Sequence, residues 1–150
     1  YDMQHQEIPA LSHYVPAHEG PEDELAKTFP LQLITWKGKN RANSTQYANP
    51  WLIEAQQQKL WINPQDAQKR GIAQGDTVRI HNARGICEIP AEVTPRIIPG
   101  VVAMQAGAWW QPDEKGIDKG GCANVLSSAR ITALAKGNSH QTMLVEVAKA

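Results

Sequence analysis

Cysteine is scarce in this chain. Cys87 and Cys122, two in 150 residues, allow at most one disulfide and cannot alone build a zinc or iron–sulfur site. They read as small buried side chains. An excess of one charge is also missing, since 15 Lys and Arg balance 15 Asp and Glu. A domain that grips nucleic acid or anionic lipid over its whole surface is normally basic, so that class is disfavoured, although a small positive pocket is not. No apolar run approaches the ~20 residues of a membrane span. Nothing near the start has the order of a secretory leader, and the first residue is Tyr1 rather than methionine, so a fragment or processed product is expected. Neither a Walker A loop nor a GxGxxG fingerprint occurs. No Gly-Ser dipeptide occurs either, which disfavours a self-cleaving decarboxylase of the aspartate decarboxylase type.

What is there is a 41% hydrophobic chain, long enough for one domain with a real core. Its best-defined stretch is Trp61 to Gly85. Asn63 can cap a helix, Pro64 suits the first helical position, and Gln65 to Arg70 carries good helix formers. Arg70 falls at the favourable end of the helix dipole, and Gly71 can take the left-handed conformation that stops the helix. Gly75-Asp76 turns the chain into a strand, Thr77 to His81, and Asn82 to Gly85 turns it again.

The flanks follow the same logic. Residues 1–29 carry His5, His13 and His18, several prolines and an acidic run from Glu19 to Glu24, with no sustained apolar period. They read as an extended lead-in whose histidines fit no metal-ligand spacing, with one helical turn from Glu24 to Thr28. Leu31 to Trp36 reads as the first core strand. The loop after it, Lys37 to Gln46, carries three cations and several small hydrogen-bonding side chains. Such a loop is either plain basic surface or a cradle for phosphate oxygens. Trp51 to Leu60 suggests a short helix, and Trp61-Ile62 the start of a strand. Cys87, Ile89, Ala91 and Val93 alternate as a strand in which Pro90 requires an edge or a bulge. Val101 to Met104 and Met143 to Val147 complete the strands. Trp109 and Trp110 are either a contact platform or a core plug. Asn124, delivered by Gly120-Gly121 into an apolar stretch, reads as a buried asparagine that needs partners. Many short strands with one capped helix point to a mainly β barrel with short helical insertions.

Four blocks in order, Lys37–Gln46, Trp61–Gly85, Gly107–Asp113 with Gly121–Leu126, and Lys136–Gln141, resemble the C-terminal dinucleotide-binding domain of molybdopterin oxidoreductases of the dimethyl sulfoxide reductase family. The likeness covers residues 31 to 147, with residues 30–150 as the domain. It implies a double-psi β-barrel that closes over bis(molybdopterin guanine dinucleotide) molybdenum. By the same resemblance Thr35, Trp36, Lys37 and Gly38 match strand-end cofactor contacts. Arg41, Asn43 and Ser44 match a motif in which an arginine precedes His-Ser, with Asn43 in place of the histidine. Asn124 matches the asparagine that binds the nucleotide portion, and His140 and Gln141 match the late turn near the pterin. The Gly-Ala-Trp-Trp run and Asn124-Val125-Leu126 look like the branch that reduces S-oxides, N-oxides or selenate. The resemblance implies a domain inactive alone, with the molybdenum ligand and any iron–sulfur cluster in other parts of the subunit. It further implies a periplasmic complex with an iron–sulfur electron-transfer subunit and a membrane anchor subunit, without nucleic acid and without direct membrane insertion of this chain. The competing reading is a non-catalytic interaction module anchored by Trp109 and Trp110, which would show no response to guanine nucleotide.

Overall fold

The computed structural model describes residues 8–132, 135–138 and 141–150. Six strands form a closed barrel: β1 (Leu31–Trp36), β2 (Leu60–Ile62), β3 (Thr77–His81), β4 (Ile86–Val93), β5 (Val101–Gln105) and β6 (Met143–Lys149). Round the ring the order is β1-β5-β2-β4-β3-β6. Two neighbouring pairs, β1 with β5 and β2 with β4, run parallel, and the other four are antiparallel. Alternation puts Leu31 and Leu33, Val78 and Ile80, and Cys87 and Ile89 inside, where they meet Leu60, Ile62, Met104, Leu126 and Val145 in one buried cluster. Cys87 and Cys122 are free and buried, as their type suggests.

The local signals of the central stretch are realised. Helix α2 (Pro64–Lys69) starts with the Asn63 side chain accepting from the Gln65 N–H at 2.9 Å, and the chain leaves it through Gly71 at φ 64°. The same Asn63 amide donates to the carbonyl of Ile97 at 2.7 Å, so the cap also pins the loop before β5. Helix α1 (Pro50–Ala55) is shorter than expected. Asn49 caps it, but Gln56 is extended, and the chain runs on into β2 at Leu60.

Pro90 lies at a hand-off. In β4, residues Ile86 to Pro90 pair with β3, whereas Ala91 to Val93 pair with β2. The Ala91 N–H bonds toward the β3 side, to Asp76, and the Glu88 N–H bonds away from it, to Asp118. By alternation position 90 faces away from β3, where the Asp118 bridge has ended and the β2 ladder has not begun, so the missing N–H removes no ladder bond.

The lead-in departs from a simple extended linker. Glu19 is 2% exposed, and its carboxylate receives both terminal nitrogens of Arg84, at 2.7 and 2.8 Å. His18 is part-buried beside Glu19, Ser128 and Arg130 rather than fully solvated, while His13 is exposed and His5 lies outside the described residues. A 3-10 turn spans Glu24–Lys27, capped by Asp23.

Candidate functional site

β1 ends beside β5 and β6, and three loops converge there. A pocket of about 270 Å³ is lined by Thr35 and Lys37 at the strand end, Asn43 and Ser44 from the loop that follows, and Ala106-Gly107-Ala108 after β5. Cys122-Ala123-Asn124, Asn138 and Met143 complete it. The strand pleat decides which end residues enter. Leu31, Leu33 and Thr35 share one face, so Thr35 faces the pocket while Trp36 turns to the other side.

Backbone conformation shapes the wall. Asn43 is left-handed at φ 53°, and Gly107, at φ 90°, lies beneath it. A Cβ on Gly107 would sit 1.8 Å from the Asn43 carbonyl oxygen, so only glycine admits this approach. Lys37 reaches over the loop to donate to the Asn43 side-chain oxygen. On the facing side Gln141 accepts from the Thr35 N–H and donates to the Thr35 hydroxyl, both at 2.8 Å. Gln141 therefore orients Thr35 at the rim. The pocket offers one ammonium together with hydroxyl and amide groups. That set fits a polar ligand bearing anionic oxygens and a hydrogen-bonding edge.

Five of the expected contact residues, Thr35, Lys37, Asn43, Ser44 and Asn124, thus share one pocket, with Gln141 at its edge. Asn124 is exposed at the pocket wall, not buried among apolar groups, because the short 3-10 turn Ala123–Leu126 buries Leu126 and presents Asn124 outward. Gly38 has a packing role: a Cβ there would lie 1.4 Å from the amide nitrogen of Gln105, itself 1% exposed. Trp36 stacks on Trp61 at 5.0 Å in a separate hollow with Glu92 and Arg96. Arg41 lines a third depression, where it donates to Gln58 and lies 5.1 Å from the Tyr47 ring centroid. Burial lowers the pKa of its guanidinium, and the opposing influence comes from Tyr47 rather than from a carboxylate. His140 lies outside the described residues.

Sequence reading missed Ala106 to Ala108 and Asn138 as pocket walls. The signal available was Gly107, whose glycine precedes the Trp pair at the end of a buried strand. Trp109 and Trp110 are not core plugs, being 50% and 61% exposed. Trp109 packs on Tyr47 at 5.8 Å and donates to the Ser44 carbonyl at 3.1 Å, propping the pocket loop. No group of three metal-ligating side chains occurs among the described residues, and none of their helices is long and apolar enough to cross a membrane.

Comparison with known proteins bears on the family and the fold. The family model for the molydopterin dinucleotide binding domain matches residues 31–144. Dimethyl sulfoxide reductase DmsA of Escherichia coli K12 is 52% identical over 143 residues, which cover 95% of this chain and 17% of that protein. A trimethylamine-N-oxide reductase of Haemophilus influenzae is 39% identical over 147 residues, covering 89% and 18%. Among solved structures, acetylene hydratase from Pelobacter acetylenicus shares the fold with a TM-score of 0.75 at 16% identity, covering 93% of this chain and 21% of that one. The chain thus spans about a sixth of the length of these curated relatives.

Proposed function

Since the chain belongs to the molybdopterin dinucleotide-binding domain family, we propose that the pocket between Thr35 and Asn124 takes part of that cofactor, with the remaining domains of a longer subunit enclosing the rest. The observation that carries this is the convergence of Thr35, Lys37, Asn43, Ser44 and Asn124, from distant parts of the chain, on one polar cavity. Lys37 and Ser44 supply a cation and a hydroxyl for phosphate oxygens, and Asn124 can pair with a base or pterin edge through its donor and acceptor. The fit rests on Gly107, which keeps the cavity wall free of a side chain. Arg41 is assigned the same class of ligand at one remove, as a half-buried guanidinium available to a phosphate that extends beyond the pocket. Trp36, Gly38, Gln141 and His140 complete the proposed contact set. In this reading Gly38 and Gln141 shape the strand end, and Trp36 and His140 are carried by resemblance.

The whole subunit, on this reading, is an oxidoreductase of the dimethyl sulfoxide reductase family. It holds bis(molybdopterin guanine dinucleotide) and reduces S-oxides, N-oxides or selenate; the chemistry that the cofactor supplies when bound is removal of an oxygen atom from the substrate. The identity with sulfoxide and amine-oxide reductases supports this assignment. An iron–sulfur electron-transfer subunit, a membrane anchor and a periplasmic, respiratory setting belong to the same proposal and rest on the resemblance of the motifs. The double-psi connectivity does too, supported by the two parallel pairs in the closed ring.

GDP, which carries a guanine and a pyrophosphate, is the test ligand. Titrating isotopically labelled protein should shift the amides of Thr35, Lys37, Ser44 and Asn124 together. Absence of shifts at millimolar GDP, with full cofactor retention by Asn124→Ala in the longer enzyme, would overturn the assignment.

A further inference from the structure

The carbonyl of Leu126 closes the turn that presents Asn124, and three donors converge on it. The Asn82 side-chain amide donates at 2.8 Å, Arg84 Nε at 2.9 Å and Arg84 Nη2 at 2.7 Å. Inside the turn, the Ser127 N–H and hydroxyl both donate to the Asn124 carbonyl. Gly85 presses against the same turn: a Cβ there would lie 2.7 Å from the Val125 carbonyl oxygen. The turn between β3 and β4 is therefore the seat on which the Asn124 turn rests.

What holds Arg84 in this pose comes from the lead-in. Glu19, itself left-handed at φ 54°, takes Nη1 on one oxygen and Nη2 on the other, and its second oxygen also accepts from the Leu144 N–H at 3.2 Å. The Arg84 side chain is 31% exposed, so without Glu19 the guanidinium is free to swing toward water and leave Leu126. Glu19 is held on the barrel from one side by Arg84 and from the other by β6.

We infer that Glu19 is a positioning residue for the pocket: acting through Arg84, the lead-in fixes the turn that sets Asn124 against Lys37 and Ser44. The inference rests on the reading of that pocket as the nucleotide site. A segment that precedes the family match at residue 31 would then be part of the ligand-binding apparatus.

Glu19→Gln and Arg84→Lys test it, the second keeping the charge but not the fork that reaches Leu126. Arg70→Gln is the control, because Arg70 also forks onto a carboxylate, that of Glu146, at 2.7 and 3.4 Å, with no bond to the pocket turns. In ligand-free protein, Glu19→Gln and Arg84→Lys should shift the amides of Asn124, Val125 and Ser127 but not those of Lys37 and Ser44. GDP affinity should fall about tenfold in both, by analogy with the loss of a partner that orients a metal ligand, and stay unchanged in Arg70→Gln. Unshifted turn amides in a folded Glu19→Gln or Arg84→Lys protein would overturn the inference whatever GDP does. Equal loss of GDP affinity in Arg70→Gln would overturn it too, by showing a general effect of stability. If the wild type itself ignores GDP while the turn amides shift, the nucleotide reading fails and the positioning of the turn stands.

Discussion

A methyl group at position 107 would collide with the Asn43 carbonyl, and neither partner can yield. Gly107 sits at φ 90°, and Asn43 is already left-handed. Gly107→Ala should therefore cost about 3 kcal/mol or more and displace the Lys37–Ser44 loop. Gly71 shares the positive φ but has open space around it, so Gly71→Ala should cost only about 1 kcal/mol. Urea denaturation of the two variants measures the contrast, and GDP shifts at Ser44 should vanish in Gly107→Ala alone. Equal costs would mean that the collision relaxes without consequence. Individual residues were also where sequence reading was least complete. Thr35, Lys37, Asn43, Ser44 and Asn124 stand out by motif resemblance alone, and the cavity that unites them depends on three loops meeting in space. The apolar neighbours of Asn124 in sequence point inward, yet Asn124 is exposed. Whether a side chain in so short a turn points in or out depends on what packs beneath, here Leu126 and Gly85, and no local pattern encodes that. Glu19 looked like one acid in an acidic run, and its partner Arg84 lies too far along the chain for spacing to suggest the pair.

At the scale of elements, legibility follows the range of the interactions. Helix α2 was readable end to end because Asn63, Pro64 and Gly71 act on backbone groups within a few residues. β3 and β4 were readable because their alternation meets a tight turn at Asn82 to Gly85. The parallel pairing of β1 with β5 joins strands far apart in the chain and leaves no local mark. One cross-strand pair gives an element-level prediction. Glu88 on β4 stands opposite Arg79 on β3, is 8% exposed, and bonds both Arg79 and Lys119. The Lys119 hydrogen bond, followed by that of Arg79, holds its carboxyl below the ordinary value of 4.5 despite burial. A carboxyl that ionises more readily folded than unfolded stabilises the protein above that ordinary value. The contribution is lost as pH falls through the lower folded value. Glu88→Gln should therefore be less stable than wild type at neutral pH, with the gap narrowing below about pH 4.5. Urea midpoints taken on either side of that value test this, and a gap constant with pH would refute it.

The whole molecule is a ring with no free edge between neighbouring strands, because β6 joins β1 to β3. Its first and last strands are adjacent, so the core is complete only when both ends are in place. Loss of Met143–Lys149 should abolish cooperative unfolding rather than lower its midpoint by degrees, and a calorimetric scan of the shortened chain would show no peak. Trp51, Trp109 and Trp110, at 80%, 50% and 61% exposure, lie outside the ring's own core.

The stacked pair of Trp36 and Trp61 has an optical consequence. Trp36 stands at the end of β1 and Trp61 in β2, on either side of β5, with ring centroids 5.0 Å apart and planes inclined at 33°. Two indoles that close, held at a fixed and unequal orientation, share their excited states. The protein should therefore show a split circular-dichroism band of paired opposite lobes, which single tryptophans do not give. That band is a built-in reporter of whether β1, β5 and β2 are assembled: Trp61→Phe should erase it without unfolding the barrel, and refolding followed by it should time the joining of β1 and β2 across β5.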